Sequence, residues 1–123
     1  MTPNFKVSEL ACKCGCGMLP KQDFMNKVQK ARELTGFPWI VTSTARCPKY
    51  NALVSTTGLT GPHTTGRAIN IKTRGEQALT IVKAMLAVGF TGIGVNQKGN
   101  DRFIHGDDLP NAAGQPRPTI WSY

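Results

Sequence analysis

Two stretches of the chain carry apolar residues at helical spacing, and the segments around them are long enough only for short strands and loops. In the first, Pro20 opens a segment in which Phe24, Val28, Ala31 and Leu34 recur on one face, and Gly36 supplies a stop signal. In the second, Gly75 to Val88, the apolar face is Ala78, Ile81, Val82, Met85 and Leu86. Between them, Pro38 to Ala45 (PWIVTSTA) has the β-branched content and bounded length of a strand, followed by Arg46-Cys47-Pro48 and a short turn of structure through Leu53. Ser55 to Pro62 reads as a Gly/Thr loop and Arg67 to Lys72 as a short strand. Gly92 to Val95 and Arg102 to His105 are two further short strands, separated by the turn signal Lys98-Gly99-Asn100-Asp101. Two helices beside a small, largely antiparallel sheet make an α+β architecture. With 123 residues, 40% of them apolar, the chain suffices for one domain with one modest core, residues 1–123.

Fifteen Lys and Arg against seven Asp and Glu leave a net charge of +8, which points to an anionic partner. Nucleic acid is the usual candidate, but the basic residues are scattered from Lys6 to Arg117, the aromatics form no stacking series, and no recognition motif is present. No stretch approaches the ~20 apolar residues of a membrane span, and Met1 to Glu9 lacks the apolar region of a secretory signal. The expectation is a chain that folds in the compartment that made it or leaves by another route, with no membrane partner. Cysteines stand at 12, 14, 16 and 47. Their alternate spacing differs from the two-residue gap of common zinc knuckles. Three readings stay open: a four-thiolate structural zinc site, one disulfide from this run to Cys47, or four small buried thiols. A staple of some kind between the amino-terminal loop and Cys47 is expected.

Chemistry-bearing residues are few enough for elimination. The two histidines are His63, in a Gly/Thr loop entering a strand, and His105, at the end of a later strand. Among the carboxylates, Asp23, Glu33 and Glu76 belong to the helices and Glu9 follows Ser8 near the amino terminus, which leaves Asp101, Asp107 and Asp108 flanking His105. Residues two apart on a strand share a face, so His105 and Asp107 project together, with Phe103 and Asp101 behind them. A histidine beside a carboxylate, joined by a second histidine from a loop, suits a metal or acid/base site.

The segment Gly61-Pro62-His63-Thr64-Thr65-Gly66-Arg67-Ala68-Ile69-Asn70 resembles the first zinc motif, Ser-x-His-x-x-Gly-x-Ala-x-Asp, of the zinc D-alanyl-D-alanine carboxypeptidase family, which includes phage peptidoglycan endopeptidases. Further resemblances follow in family order: Val7-Ser8-Glu9-Leu10-Ala11-Cys12, then Thr42-Ser43-Thr44-Ala45-Arg46-Cys47-Pro48, then Gly89-Phe90-Thr91-Gly92-Ile93-Gly94 and Phe103-Ile104-His105-Gly106-Asp107. The resemblance implies the hedgehog-like zinc peptidase fold and a zinc ion as cofactor. His63, His105 and position 70 would be its ligands, and Arg46 a donor to a peptide carbonyl or its oxyanion. Gly66 would turn the backbone tightly and Ala68 would allow close packing behind the site.

The departures from the family pattern carry consequences. Asn70 stands where the family has Asp, and a neutral amide is a poor zinc ligand, so zinc binding is expected to be weakened. Gly61 replaces the usual Ser. Where many relatives place a base three residues before the last ligand, this chain has Arg102, which cannot accept a proton at physiological pH. Asp107 is then the expected base or substitute third ligand, with Asp101 second; the alternative for Asp107 is to orient His105 from behind. The resemblance thus implies a zinc peptidase acting on peptidoglycan peptide stems, as carboxypeptidase or endolysin-type endopeptidase. An inactive relative serving as a virion or wall-binding module is the alternative. Short relatives of this kind are often phage-encoded, which implies the host cytoplasm and then the wall or virion as location, and other virion proteins as partners. Trp121 and Tyr123 are expected to pack back on the sheet as core closure.

Overall fold

A computed structural model describes residues 1–123. The elements run α1 (Val7–Leu10), α2 (Gln22–Thr35), β1 (Ile40–Ser43), α3 (Pro48–Val54), a one-turn 3₁₀ helix (Pro62–Thr65), β2 (Ala68–Lys72), α4 (Gly75–Ala87), β3 (Gly92–Asn96), β4 (Phe103–Asp107) and β5 (Thr119–Ser122). The five strands form one sheet in the order β1-β2-β4-β3-β5. Three pairings are antiparallel and the last, β3 with β5, is parallel, so the α+β expectation holds with a mixed sheet. No helix is long and apolar enough to cross a membrane.

The period of two along each strand divides the sheet into two faces of opposite character. Ile69, Ile71, Ile93 and Ile104 point to one side and are buried against Phe24, Val28, Ile81 and Met85 of α2 and α4. The other side carries the polar residues of β2 and β4, and there the register aligns a row: Asn70 opposite His105, His105 opposite Gly94, Gly94 opposite Trp121. A second row runs Ala68, Asp107, Gly92, Thr119. The sequence therefore builds a core on one face and gathers its chemistry on the other.

The helical faces differ from the expectation at their ends. Leu34 and Leu86 are exposed. At 100° per residue both are rotated away from the buried stripe, and the core side of α4 is completed by Ala84 instead. Loop residue His63 lies in the 3₁₀ turn, which ends at Gly66 with φ of 74°, a left-handed conformation that favours glycine. Arg67, just before β2, donates to both oxygens of Asp108 and to both of Asp23 on α2, and Lys27 adds a bond to Asp108. These pairs clamp the end of β4 to the helical layer.

Candidate metal centre and its cleft

Three side chains from three segments converge on the polar face. His63 comes from the 3₁₀ turn, Asn70 from the middle of β2 and His105 from the paired position on β4. Asn70 Oδ1 lies 3.2 Å from His63 Nε2 and 3.0 Å from His105 Nδ1. The other nitrogen of each ring is already committed. His63 Nδ1 is 2.7 Å from the carbonyl of Thr44, which can only accept, so Nδ1 carries the proton. His105 Nε2 donates to Asp107 Oδ2 at 2.7 Å.

The electrostatics keep the His63 ring neutral. Burial, reinforced by the nearby His105 and Arg46, lowers the His63 pKa to about 3. Burial works to raise the Asp107 pKa, but hydrogen bonds from His105 and Arg117 outweigh it and hold the carboxyl at about 2, so Asp107 is an anion. Two ring nitrogens and an amide oxygen thus face one another at 3.0 to 3.2 Å. Without a proton among them such a set repels itself unless a cation stands between the three atoms, or the amide turns to offer its NH₂ to both rings. This is the donor chemistry of a zinc site, N and O ligands with the far nitrogen of each histidine anchored. His63, Asn70 and His105 fit the ion the resemblance implied, with one change: the set carries no negative charge.

Asp107 sits elsewhere than the base position proposed for it. It is fully buried behind His105, bonded to the ring nitrogen remote from Asn70. Its two oxygens also receive Arg117 Nε and Nη2, each at 2.9 Å. With both oxygens engaged and no exposure, it is placed to orient His105, the last of the three roles the sequence left open. Asp101 lies in the exposed turn before β4, away from the cluster, because the strand begins only at Phe103. Arg102 donates to the Gly99 carbonyl in that turn.

A cleft of about 540 Å³ opens over the cluster. Arg46 lines it, half-buried, with Nε on Ser43 Oγ at 3.0 Å and Nη1 on Asn51 Oδ1 at 3.2 Å, leaving Nη2 without a protein partner. Asn51 is itself buried and holds the loop through Thr57 and Gly58, so α3 positions both the arginine and the cleft rim. The opposite wall is aromatic. Trp121 stands 5.1 Å from the His105 ring and under the Arg117 guanidinium, and Tyr123 packs on Phe103 at 4.9 Å. Trp121 and Tyr123 therefore do pack on the sheet, but on its cleft face and not as core closure; Tyr123 is exposed. No carboxylate lines the cleft.

Sequence reasoning missed Arg117, Thr44 and Asn51. One signal was present. Gly92 and Gly94 alternate on β3, so beside Asp107 and His105 this strand offers no side chain to the polar face. A methyl on Gly92 would collide with Asp107 and Arg117, and one on Gly94 would lie 2.7 Å from the Trp121 indole nitrogen. The two glycines make the space that Arg117 and Trp121 fill.

Residues 3–107 match the family model described as Peptidase M15. The chain belongs to the M15 peptidase family. No curated protein matches it by sequence. M15 peptidases are zinc-dependent metallopeptidases, and all three donor atoms of this M15 chain, with Arg46 and Asp107, fall within the matched region. Arg117, Trp121 and Tyr123 lie after it, so this M15 chain forms the far wall of its cleft from residues the family model does not describe.

Proposed function

We propose that this M15 peptidase hydrolyses peptide bonds of bacterial peptidoglycan. The observation that carries the reading is the convergence of three candidate donor atoms, on His63, Asn70 and His105, at the floor of an open cleft. Zinc bound there would polarise a peptide carbonyl and bring the pKa of a water toward roughly 7, as neutral ligand sets do. The chain's own residues do the rest. Thr44 and Asp107 fix the two rings so that the correct nitrogens face inward. Arg46, which lines the cleft and keeps Nη2 without a protein partner, would donate to the carbonyl oxygen as charge builds on it. Trp121 and Tyr123 offer apolar faces to a peptide stem and keep bulk water from one side.

The lack of a carboxylate in the cleft suits a site whose ligands are all neutral. Such a set binds its ion less tightly but does not dilute the ion's charge, so the water needs less help to ionise. The inactive-module reading is not favoured, because both histidines retain the partners that orient them. The +8 charge supports a polyanionic wall as the substrate surface, through long-range attraction.

Digestion of purified peptidoglycan by the zinc-supplemented chain tests the reading. Mass spectrometry of the soluble products distinguishes free D-alanine, the carboxypeptidase outcome, from new amino termini, the endopeptidase outcome. Absence of both at saturating zinc overturns the proposal.

A further inference from the structure

A second set of metal-binding atoms lies outside the cleft. The sulfurs of Cys12, Cys14, Cys16 and Cys47 all fall within 4.8 Å of one another. Cys12 and Cys14 are 3.4 Å apart at sulfur, and Cys14 and Cys47 3.6 Å. Four Zn–S bonds of ~2.3 Å in a tetrahedron set the sulfurs about 3.8 Å apart, whereas a disulfide requires ~2.05 Å. The spacing agrees with the first figure. Four small core thiols are ruled out by exposure, since Cys14 and Cys16 face solvent.

The backbone is arranged for this gathering. Cys12 N–H bonds the Met18 carbonyl at 2.9 Å and Gly15 N–H bonds the Cys12 carbonyl at 3.2 Å, closing the loop on itself. Gly15 and Gly17, with φ of 83° and 87°, curl the intervening residues so that alternate cysteines turn to one side. The fourth sulfur arrives at the N-cap of α3, where Cys47 Sγ accepts Tyr50 N–H at 3.4 Å. Cys47 N–H in turn donates to Cys12 Sγ at 3.3 Å. N–H groups aimed at sulfur favour thiolate over thiol, the form a metal requires.

We propose that Cys12, Cys14, Cys16 and Cys47 form a closed four-thiolate structural zinc site, separate from the cleft. Binding breaks four S–H bonds, forms four Zn–S bonds and releases the protons to solvent. With four protein ligands there is no open position, so the site holds structure and does no chemistry. What it holds is the floor of the cleft. Cys47 follows Arg46, whose N–H bonds the His63 carbonyl at 3.1 Å, and Thr44, whose carbonyl orients the His63 ring, is tied by its hydroxyl to the Leu10 carbonyl. The thiolate site thus pins the amino-terminal loop to the segment that places Arg46 and His63.

The test uses the full chain purified with zinc and without added reductant. The double variant His63→Ala, His105→Ala is expected to retain about one zinc per chain by elemental analysis, released when a mercurial reagent blocks the thiols. Loaded with cobalt, it is expected to show sulfur-to-metal charge-transfer absorption. Should that variant fail to fold, the same cobalt spectrum and thiol-dependent zinc release are read on the unaltered chain. Four freely reactive thiols with no metal retained, or a mass two hydrogens short that marks a disulfide, would overturn the proposal.

Discussion

Asn70 and His105 are direct cross-strand partners, and the amide oxygen of one lies 3.0 Å from the ring Nδ1 of the other. Backbone pairing between β2 and β4 therefore fixes two of the three donors. A slip of one residue by either strand would turn its donor to the core face, so the aliphatic residues that hold the register also hold the site.

Replacing the amide by a carboxylate at this position puts a negative charge where a cation belongs. Asn70→Asp is expected to tighten zinc by roughly tenfold or more, the scale of changes made around metal ligands. Competition against a chromophoric chelator measures it, and affinity unchanged or weakened would remove Asn70 from the donor set.

Asp107→Asn leaves Arg117 buried beside a neutral amide. Breaking a buried pair of this kind costs about 3 kcal/mol, to be read by denaturant unfolding. Because the His105 ring loses its anionic anchor, kcat is expected to fall ~10- to 100-fold with KM little changed. Adding Arg117→Met should recover part of the stability and none of the turnover. Full turnover in the single variant would show that His105 needs no anchor.

Gly94→Ala drives a methyl into the Trp121 indole, whose Nε1 and Cε2 lie 2.7 and 2.8 Å from the added carbon. Overpacking of this kind costs ~1–3 kcal/mol. The indole must move off His105, so a shifted tryptophan emission spectrum and a raised KM are expected together. A variant with unaltered emission and KM would remove Trp121 from the substrate-facing wall.

Acid should destabilise the zinc-free chain. His63 has a folded pKa of about 3, far below its ordinary 6.5, so the unfolded chain takes up a proton that the folded chain refuses. Stability then falls as pH drops from near 6.5 toward 3, with a slope approaching 1.4 kcal/mol per pH unit for one proton. Asp107, lowered from 3.8 to about 2, adds a loss of the same sign between those two values. Unfolding curves of chelator-treated protein between pH 7 and 4 check this against His63→Gln, which should flatten the upper part of the slope.

The two long helices and four of the five strands were legible because they rest on local pattern, whereas the candidate donor set was proposed from the resemblance of residues 61–70 to a family motif. Periodicity found α2 and α4, and the motif from His63 to Asn70 sits on one turn and one strand. What was not legible depended on distance in space. Strand parity put Asp107 on the correct face but could not reveal its depth, which Arg117 sets by filling the space above Gly92. β5 pairs in parallel with β3 across an intervening loop, and its alternation of Ile120 and Trp121 does not announce which face meets solvent. The cysteine spacing pointed to a staple, while its nature depended on how Gly15 and Gly17 turn the loop.

The parallel strand β5 has one more implication. The candidate donor atoms lie within residues 3–107, and Trp121 and Tyr123 of the cleft wall lie after them. The floor of the cleft and this wall thus come from separate stretches of chain, joined by the β3–β5 pairing and by Arg117 bound to Asp107. Exchange of the last stretch, with that arginine kept, offers a route to new preferences on an unaltered reactive floor.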